Sequence, residues 1–184
     1  MADEKRKKKR WHGIVSSQEF NHAPIGETLV EDPQTLLGRN ITVSLMTLTN
    51  DHKKQNISVV FKISEIKEGV AQTTLVGYKI SKSYVRRVVR KAVNKIDIAF
   101  TVQSKDNIAY TLKPLIVTRY KCHNSVLTTI QKHIRSYFTE EFKNIESKHV
   151  FSTVMSNSLQ KNLRSALKKI YPIGISEIRV LERN

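Results

Sequence analysis

Residues 57–80 read ISVVFKISEIKEGVAQTTLVGYKI, and the architecture follows from this stretch. Val59, Phe61 and Ile63 recur at every second position, as in a strand with one buried face, although the apolar Val60 makes the alternation less clean. The pair Glu68-Gly69 then predicts a tight turn, and a second strand is predicted over Val70–Ile80. Residues 57–80 therefore predict a β-hairpin.

Strands and helices are also predicted on both sides of this hairpin. Four more strands are predicted at 39–48, 96–102, 109–118 and 175–181. Three helices are predicted at about 81–95, 124–145 and 156–170. Residues 11–38 are interrupted by glycine and proline and are predicted to be irregular. This order predicts an α+β fold with a barrel-like, largely antiparallel β core and three packed helices.

The chain is expected to hold one domain and a tail. Residues 1–10 are charged and almost free of apolar side chains, so we expect a disordered basic tail. No repeat or internal linker is visible in 11–184, which predicts a single α+β domain. No apolar run approaches the ~20 residues that cross a bilayer. The N-terminus lacks the apolar segment of a secretory signal. Cys122 is the only cysteine, which suits a reducing cytoplasm.

The charge is large and unevenly distributed. The chain has 32 Lys and Arg residues against 16 Asp and Glu residues, a net charge of +16. Residues 5–10 are an unbroken basic run, and the window 82–95 contains six cations and no carboxylate. Such a surface is self-repelling unless a polyanion neutralises it. We therefore expect a nucleic-acid binder, with an anionic membrane surface as the main rival on charge alone.

The predicted helix at 81–95 is the most specific feature of this kind. One side is an apolar stripe: Tyr84, Val85, Val88, Val89, Ala92 and Val93. The other side is polar: Arg86, Arg87, Arg90, Lys91 and Asn94. Arginines often decorate a solvated helix face, but such helices usually contain acids for i,i+4 pairing, and this one has none. Arginine also suits bidentate phosphate contacts. The scarcity of aromatic residues argues against a platform of stacked bases, so backbone and groove contacts on folded RNA fit better.

No arrangement of residues indicates catalysis. The six histidines are scattered without metal-ligand spacing, and the glycines form no phosphate-binding loop. The carboxylates do not cluster as a metal-dependent nuclease requires. Cys122 and His123 are adjacent, and chain neighbours rarely serve together as nucleophile and base. The sequence predicts no enzyme, no metal site and no cofactor.

The order of several short motifs is that of a known family. The matching pieces are Phe20, Ile25-Gly26-Glu27-Thr28, Asp32-Pro33, Leu37-Gly38-Arg39, Lys53-Lys54-Gln55-Asn56, Phe61-Lys62-Ile63, Tyr84-Val85-Arg86-Arg87-Val88-Val89-Arg90-Lys91, Ile96-Asp97, Ser104-Lys105-Asp106, Ile134-Arg135, Lys169-Ile170-Tyr171-Pro172 and Glu177-Ile178-Arg179. With them the chain resembles the archaeal and eukaryotic small-subunit ribosomal protein family S-three-a-e, also called S-one-e. The resemblance runs from Trp11 to the C-terminus.

The chain departs from the family pattern at three places. Asn107 stands where the family usually has glycine, and asparagine tolerates positive φ, so the turn should survive. Residues 120–131 lack the Arg-Ala-rich character of the family. The long C-terminal extension of eukaryotic members is absent, so the chain resembles an archaeal form.

The resemblance implies a structural constituent of the small ribosomal subunit. It implies binding of ribosomal RNA on the platform, near the messenger exit and the 3′ end of that RNA, beside neighbouring ribosomal proteins in the cytoplasm. It implies no catalysis, no cofactor, no membrane and no small-molecule substrate. The candidate RNA-binding residues are cations: Lys5, Arg6, Lys7, Lys8, Lys9, Arg10, Arg39, Lys82, Arg86, Arg87, Arg90, Lys91, Lys95, Arg119, Arg135 and Arg179.

Two alternatives remain open. A standalone RNA chaperone or translation regulator would share the charge and the fold. A nuclease or RNA-modifying enzyme would need clustered carboxylates or a cofactor loop, which the sequence does not show.

Overall fold

The computed structural model describes residues 8–67 and 69–184. The chain divides into two compact units, one ending at Gly77 and one running from Tyr78 to Asn184. Residues 1–7, which hold most of the predicted disordered tail, lie outside the described residues. The single domain predicted over 11–184 stays a prediction, because the division does not test whether the two units fold together.

The first unit is built on a sheet of five strands. They are β1 (Arg10–Val15), β2 (Pro24–Val30), β3 (Asn40–Ser44), β4 (Ile57–Lys67) and β5 (Val70–Ile80), and β5 continues past the unit's end. Their order is β2-β1-β5-β4-β3, with β1 antiparallel to β2 and parallel to β5. The predicted β4–β5 hairpin is confirmed, and Gly69 has φ +81, a conformation that glycine adopts without strain.

The prediction that residues 11–38 are irregular is wrong. Glycines and prolines suggested a loop, but β1 lies between β2 and β5, so both edges of its backbone are paired. Pro24 is the first residue of β2, a position where its missing N–H is tolerated. The strand predicted at 39–48 also ends early, because Leu45–Thr49 turn into the short helix α1 and bury Leu45 completely.

The second unit combines strands and helices. Its strands after β5 are β6 (Lys95–Asp97), β7 (Phe100–Gln103), β8 (Ala109–Thr118) and β9 (Ile173–Arg183). Its helices are α2 (Lys82–Val88), α3 (Asn124–Asn144), α4 (Ser147–Met155) and α5 (Ser158–Leu167). β8 is antiparallel to β9, while β6 and β7 pair with different halves of β8. The strand predicted at 96–102 is therefore two strands.

Helix α3 anchors the second unit's core. Its residues Ile130, Ile134, Phe138 and Phe142 recur every four positions and are fully buried. The Phe138 ring packs against Phe142 and Phe100, with centroids 6.2 and 6.4 Å away. α3 therefore lies with its apolar face on β7.

The α+β class and the largely antiparallel pairing are confirmed. The barrel-like closure is wrong, because the strand order within each described unit is open at its ends. Alternation predicts a buried face, but it does not say which strand pairs with which. The described residues also form five α-helices where three were predicted. The two missed helices, α1 and α4, are too short to show a clear helical period.

Candidate nucleic-acid interface

The two units differ sharply in charge. Residues from Tyr78 onward include 21 Lys and Arg against 7 Asp and Glu, a net charge of +14. Residues through Gly77 include 11 against 9, a net charge of +2. The second unit therefore carries almost all of the excess charge that favours a polyanionic partner.

Helix α2 begins where the sequence predicts and ends early. The Ser81 hydroxyl accepts a hydrogen bond from the Tyr84 N–H (3.3 Å) and caps the N-terminus. Lys82, Arg86 and Arg87 are exposed on it. The helix ends at Val88, since Val89 is extended (φ −86, ψ 111). β-Branched residues favour strands over helices, so the valine run does not extend the helix to Asn94.

The early end of α2 changes the setting of three candidate cations. Arg90 and Lys91 are exposed in an irregular segment, and Lys95 is the first residue of β6. The predicted apolar stripe is wrong beyond Val89, since Ala92 is exposed.

Asn94 does not face outward with the arginines. Its N–H donates to the Thr118 hydroxyl (2.9 Å), and its carbonyl accepts from the Thr118 N–H (3.0 Å). Its side-chain oxygen accepts from the Cys122 N–H (3.0 Å). Asn94 thus ties the segment after α2 to the end of β8 and to the loop before α3.

That loop is tied in turn to the end of α5. The Arg119 N–H donates to the Pro172 carbonyl (3.0 Å), and the Tyr171 hydroxyl donates to the Lys121 carbonyl (3.0 Å). We call residues 89–94, 118–122 and 168–172 the basic loop cluster. The exposed cations of the cluster are Arg90, Lys91, Arg119, Lys121, Lys168 and Lys169. No Asp or Glu occurs in these three sequences.

Sequence reasoning did not nominate Lys121, Lys168 or Lys169. The sequence shows that no acids lie next to these lysines in the chain. It does not show that hydrogen bonds between distant segments bring them beside Arg90 and Lys91. Only the fold supplies that neighbourhood.

Two nominated cations have a carboxylate partner within the protein. Asp97 lies 2.7 Å from Lys95 Nζ and 3.1 Å from an Arg179 guanidinium nitrogen. Both pairs are partly exposed, so each contributes little to stability. A phosphate would have to compete with Asp97 for these two cations.

The remaining nominated residues are dispersed. Arg135 lies on α3 with its guanidinium 5.5 Å from the Phe100 ring centroid. Arg39 is exposed in the first unit, just before β3. Lys8 and Lys9 are exposed, and Arg10 belongs to β1 and not to the tail. Lys5, Arg6 and Lys7 lie outside the described residues.

Four acids of the second unit are not on β6 or β9, and they lie near the C-terminal end of α3, away from the basic loop cluster. One of them, Asp106, accepts a hydrogen bond from the Ser147 N–H (2.8 Å). Glu140 and Glu141 are in the last two turns of α3, and Glu146 follows the helix. With a rise of 1.5 Å per residue, Glu140 lies about 24 Å along the axis from Asn124, where α3 leaves the cluster. Screening over such a distance leaves these carboxylates little influence on the cluster.

Helix α2 is fastened to β9 by one hydrogen bond between side chains. The Tyr84 hydroxyl donates to Glu177 Oε1 at 2.7 Å. Burial raises the pKa of Glu177, although the hydrogen bond from Tyr84 opposes this. Burial, followed by the same contact, raises the pKa of Tyr84 to about 12. Tyr84 therefore stays protonated at neutral pH and remains a donor.

Glu177→Gln is expected to stabilise the protein at neutral pH and to leave stability unchanged below about pH 4. A carboxyl whose folded-state pKa is raised favours folding while it is protonated, and this contribution is lost as the pH rises through that pKa. Glutamine can still accept from Tyr84 without becoming charged. Urea unfolding of both proteins across this pH range measures the difference. The prediction is contradicted if the variant is less stable than the wild type at neutral pH while the two are equally stable at low pH.

The asparagine at the predicted Lys-Asp-Gly-type turn behaves as expected. Asn107 has φ 58, and its N–H donates to the Ser104 carbonyl (3.0 Å). The turn thus survives without glycine.

The described residues provide no site for metal chemistry. No three of their His, Cys, Asp and Glu side chains come together as a metal ion would require. Cys122 is partly buried, and burial raises the pKa of its thiol, which disfavours the reactive thiolate.

Cys122→Ser is therefore expected to preserve RNA binding and assembly, at a cost of at most ~1–2 kcal/mol. The contact to Asn94 uses the backbone N–H of Cys122 and is retained. Unfolding and RNA-binding titrations of the variant check this, together with metal analysis of protein purified without chelators. Stoichiometric zinc, or lost binding by a folded variant, would contradict it.

The fold and the surface define a strongly basic α+β protein, and none of its described helices is long and apolar enough to span a bilayer. The chain belongs to the Ribosomal S3Ae family, whose sequence profile matches residues 1–183. The family consists of structural ribosomal proteins and not of enzymes. The resemblance and the prediction of no enzyme are thus confirmed by family membership.

Several archaeal proteins are similar to this chain over most of its length. The small ribosomal subunit protein eS1 of Nanoarchaeum equitans is 30% identical over 166 residues, which cover 90% of this chain and 84% of that protein. The protein of the same name from Methanothrix thermoacetophila is 30% identical over 179 residues, with 97% and 85% covered. That of Halorubrum lacusprofundi is 29% identical over 180 residues, with 96% and 82% covered.

Proposed function

We propose that this protein binds the RNA of the small ribosomal subunit through α2 and the basic loop cluster. The observation that carries the proposal is an exposed set of cations without acids. Lys82 and Arg86 on α2, together with the cations of the cluster, have no carboxylate ion partner among the described residues. Phosphates supply the missing negative charge, and the release of their counterions drives binding.

The setting of these cations favours folded RNA. Hydrogen bonds between backbone groups, and one from the Cys122 N–H to the Asn94 side chain, fix the three segments of the basic loop cluster to one another, so their charges are presented at defined positions. Preorganised cations position a protein on phosphates without reading base sequence. We therefore expect the second unit to recognise the shape and the phosphates of a folded RNA and not its base sequence.

The place of binding is proposed from the resemblance alone. We propose the platform of the subunit, near the messenger exit and the 3′ end of the RNA, beside neighbouring ribosomal proteins in the cytoplasm. A standalone RNA chaperone or translation regulator is the second candidate, because the charge and the fold would serve it equally.

Co-sedimentation with small subunits separates the two candidates. A subunit constituent should remain with the particle at moderate salt, in about one copy per subunit. A regulator would leave the particle as the salt concentration rises, because exposed charges are screened over about 8–10 Å under these conditions. Loss from the particle at moderate salt would contradict the proposed structural role.

A further inference from the structure

The first unit exposes the protein's only tryptophan. Trp11 lies on β1 with 67% of its surface accessible. Its chain neighbour His12 points to the opposite face, is buried and contacts the Gly69 carbonyl through Nδ1 (3.0 Å). The strand is therefore held in place while the indole remains open to solvent.

Strand register places two apolar residues and a glycine near Trp11 on the same face of the sheet. Leu29 pairs directly with Trp11 across β1 and β2 and is 44% exposed. Gly13 is two residues further on the same face, and a Cβ built there meets no atom within 4 Å. Val70 pairs with Gly13 and is 37% exposed. The indole thus borders open space of the kind that a planar ring can occupy.

The charged residues around this surface differ in sign on its two sides. Lys8 and Lys9 are exposed just before β1, whereas Arg10 is on β1 and alternates onto the face opposite Trp11. Glu27 pairs with Gly13 and is exposed on the other side of the indole. A phosphate backbone is therefore attracted to the side of the indole where Lys8 and Lys9 lie and repelled from the side of Gly13, where Glu27 lies.

We propose that Trp11 stacks on one unpaired base of a bound RNA whose phosphates contact Lys8 and Lys9. The proposal rests on the proposed RNA-binding function and adds a second contact, on the first unit. An indole and adjacent cations together suit a nucleotide, because stacking accepts any base and the cations hold its backbone. The scarcity of aromatic residues excludes a platform, and a single base requires only one ring.

The tryptophan itself reports the contact. We expect a single-stranded oligoadenylate of about ten nucleotides to quench the fluorescence of Trp11. Inorganic polyphosphate of matched charge, which has no bases, should bind without quenching. Affinity, measured separately from the anisotropy of labelled RNA, should fall by about 5-fold to 150-fold in Trp11→Ala. Trp11→Tyr should recover part of the loss. Leu37→Ala is the control, since Leu37 is also exposed, at 49%, in the same unit.

Each result decides the proposal. Oligoadenylate that binds without quenching, or with unchanged affinity for Trp11→Ala, overturns the stacking contact and leaves the contact through α2 standing. Quenching that persists while charge reversal on α2 has no effect would instead overturn the proposed function of α2. If Trp11→Ala impairs incorporation into subunits but not RNA binding, a neighbouring protein covers Trp11 and the stacking proposal is wrong.

Discussion

Reversing the charge of Arg86, Arg87 and Arg90 to glutamate is expected to weaken binding of small-subunit RNA strongly. The slope of log affinity against log salt should become shallower by roughly 2 to 3 units, because each lost phosphate contact removes about 0.7 to 0.9 of a unit. The three side chains are exposed, and the Tyr84–Glu177 hydrogen bond that fastens α2 is untouched. Far-ultraviolet circular dichroism should therefore remain close to that of the wild type.

A matched control separates local contacts from net charge. Lys62, Lys143 and Lys148 are exposed and lie outside α2 and the basic loop cluster. Their combined change to glutamate alters the net charge equally and should leave the salt slope nearly unchanged. The double variant Arg86→Glu, Arg90→Glu provides a second check, because Arg87 also lies over the Tyr84 ring at 5.8 Å. Equal losses in the triple and control variants would contradict a localised RNA contact.

Phe138→Ala is expected to cost about 3–5 kcal/mol of folding free energy, a large part of a domain's usual stability. Phe138 is fully buried, and its ring contacts three others: Phe100, Tyr137 and Phe142. Truncation leaves a cavity between α3 and β7 that rigid neighbours cannot fill. Urea unfolding measured by circular dichroism gives the loss directly.

Ser136→Ala is the control for this change. Ser136 lies on the exposed side of the same helix, and its hydroxyl bonds only to the His133 carbonyl (3.1 Å). Its replacement should change the free energy of unfolding by no more than about 0.5 kcal/mol. A Phe138→Ala variant as stable as this control would show that α3 does not anchor the second unit's core.

Elements with a long, regular pattern could be predicted from the sequence. The hairpin of β4 and β5, strand β8 at its observed bounds and helix α3 all follow from apolar periodicity. The early end of α2 did not: the valines have low helix propensity, but packing of the apolar stripe was expected to hold them in a helix, and the helix ends at Val88. Strands β1 and β2 also escaped prediction, since partners distant in sequence make them strands.

The candidate interface could be predicted only in part. The acid-free basic run on α2 is visible in the sequence, and three of its cations are exposed as expected: Lys82, Arg86 and Arg87. The basic loop cluster depends on Asn94, Tyr171 and their hydrogen bonds, which join segments far apart in the chain. The pairing of Lys95 and Arg179 with Asp97 likewise requires β6 and β9 in their observed places. The difference in net charge between the two units can be counted in the sequence once their boundary is known. That boundary falls inside strand β5, so the sequence offered no linker that would mark it.

Lysine acylation of the protein, free and bound to small-subunit RNA, tests the RNA-binding surface most directly. Two groups of exposed lysines are compared by mass spectrometry. The first group lies on α2 and the basic loop cluster: Lys82, Lys91, Lys121, Lys168 and Lys169. The second lies elsewhere: Lys53, Lys62, Lys143 and Lys148. RNA should protect the first group and leave the second reactive, whereas protection of the second group with the first still reactive would contradict the proposed interface.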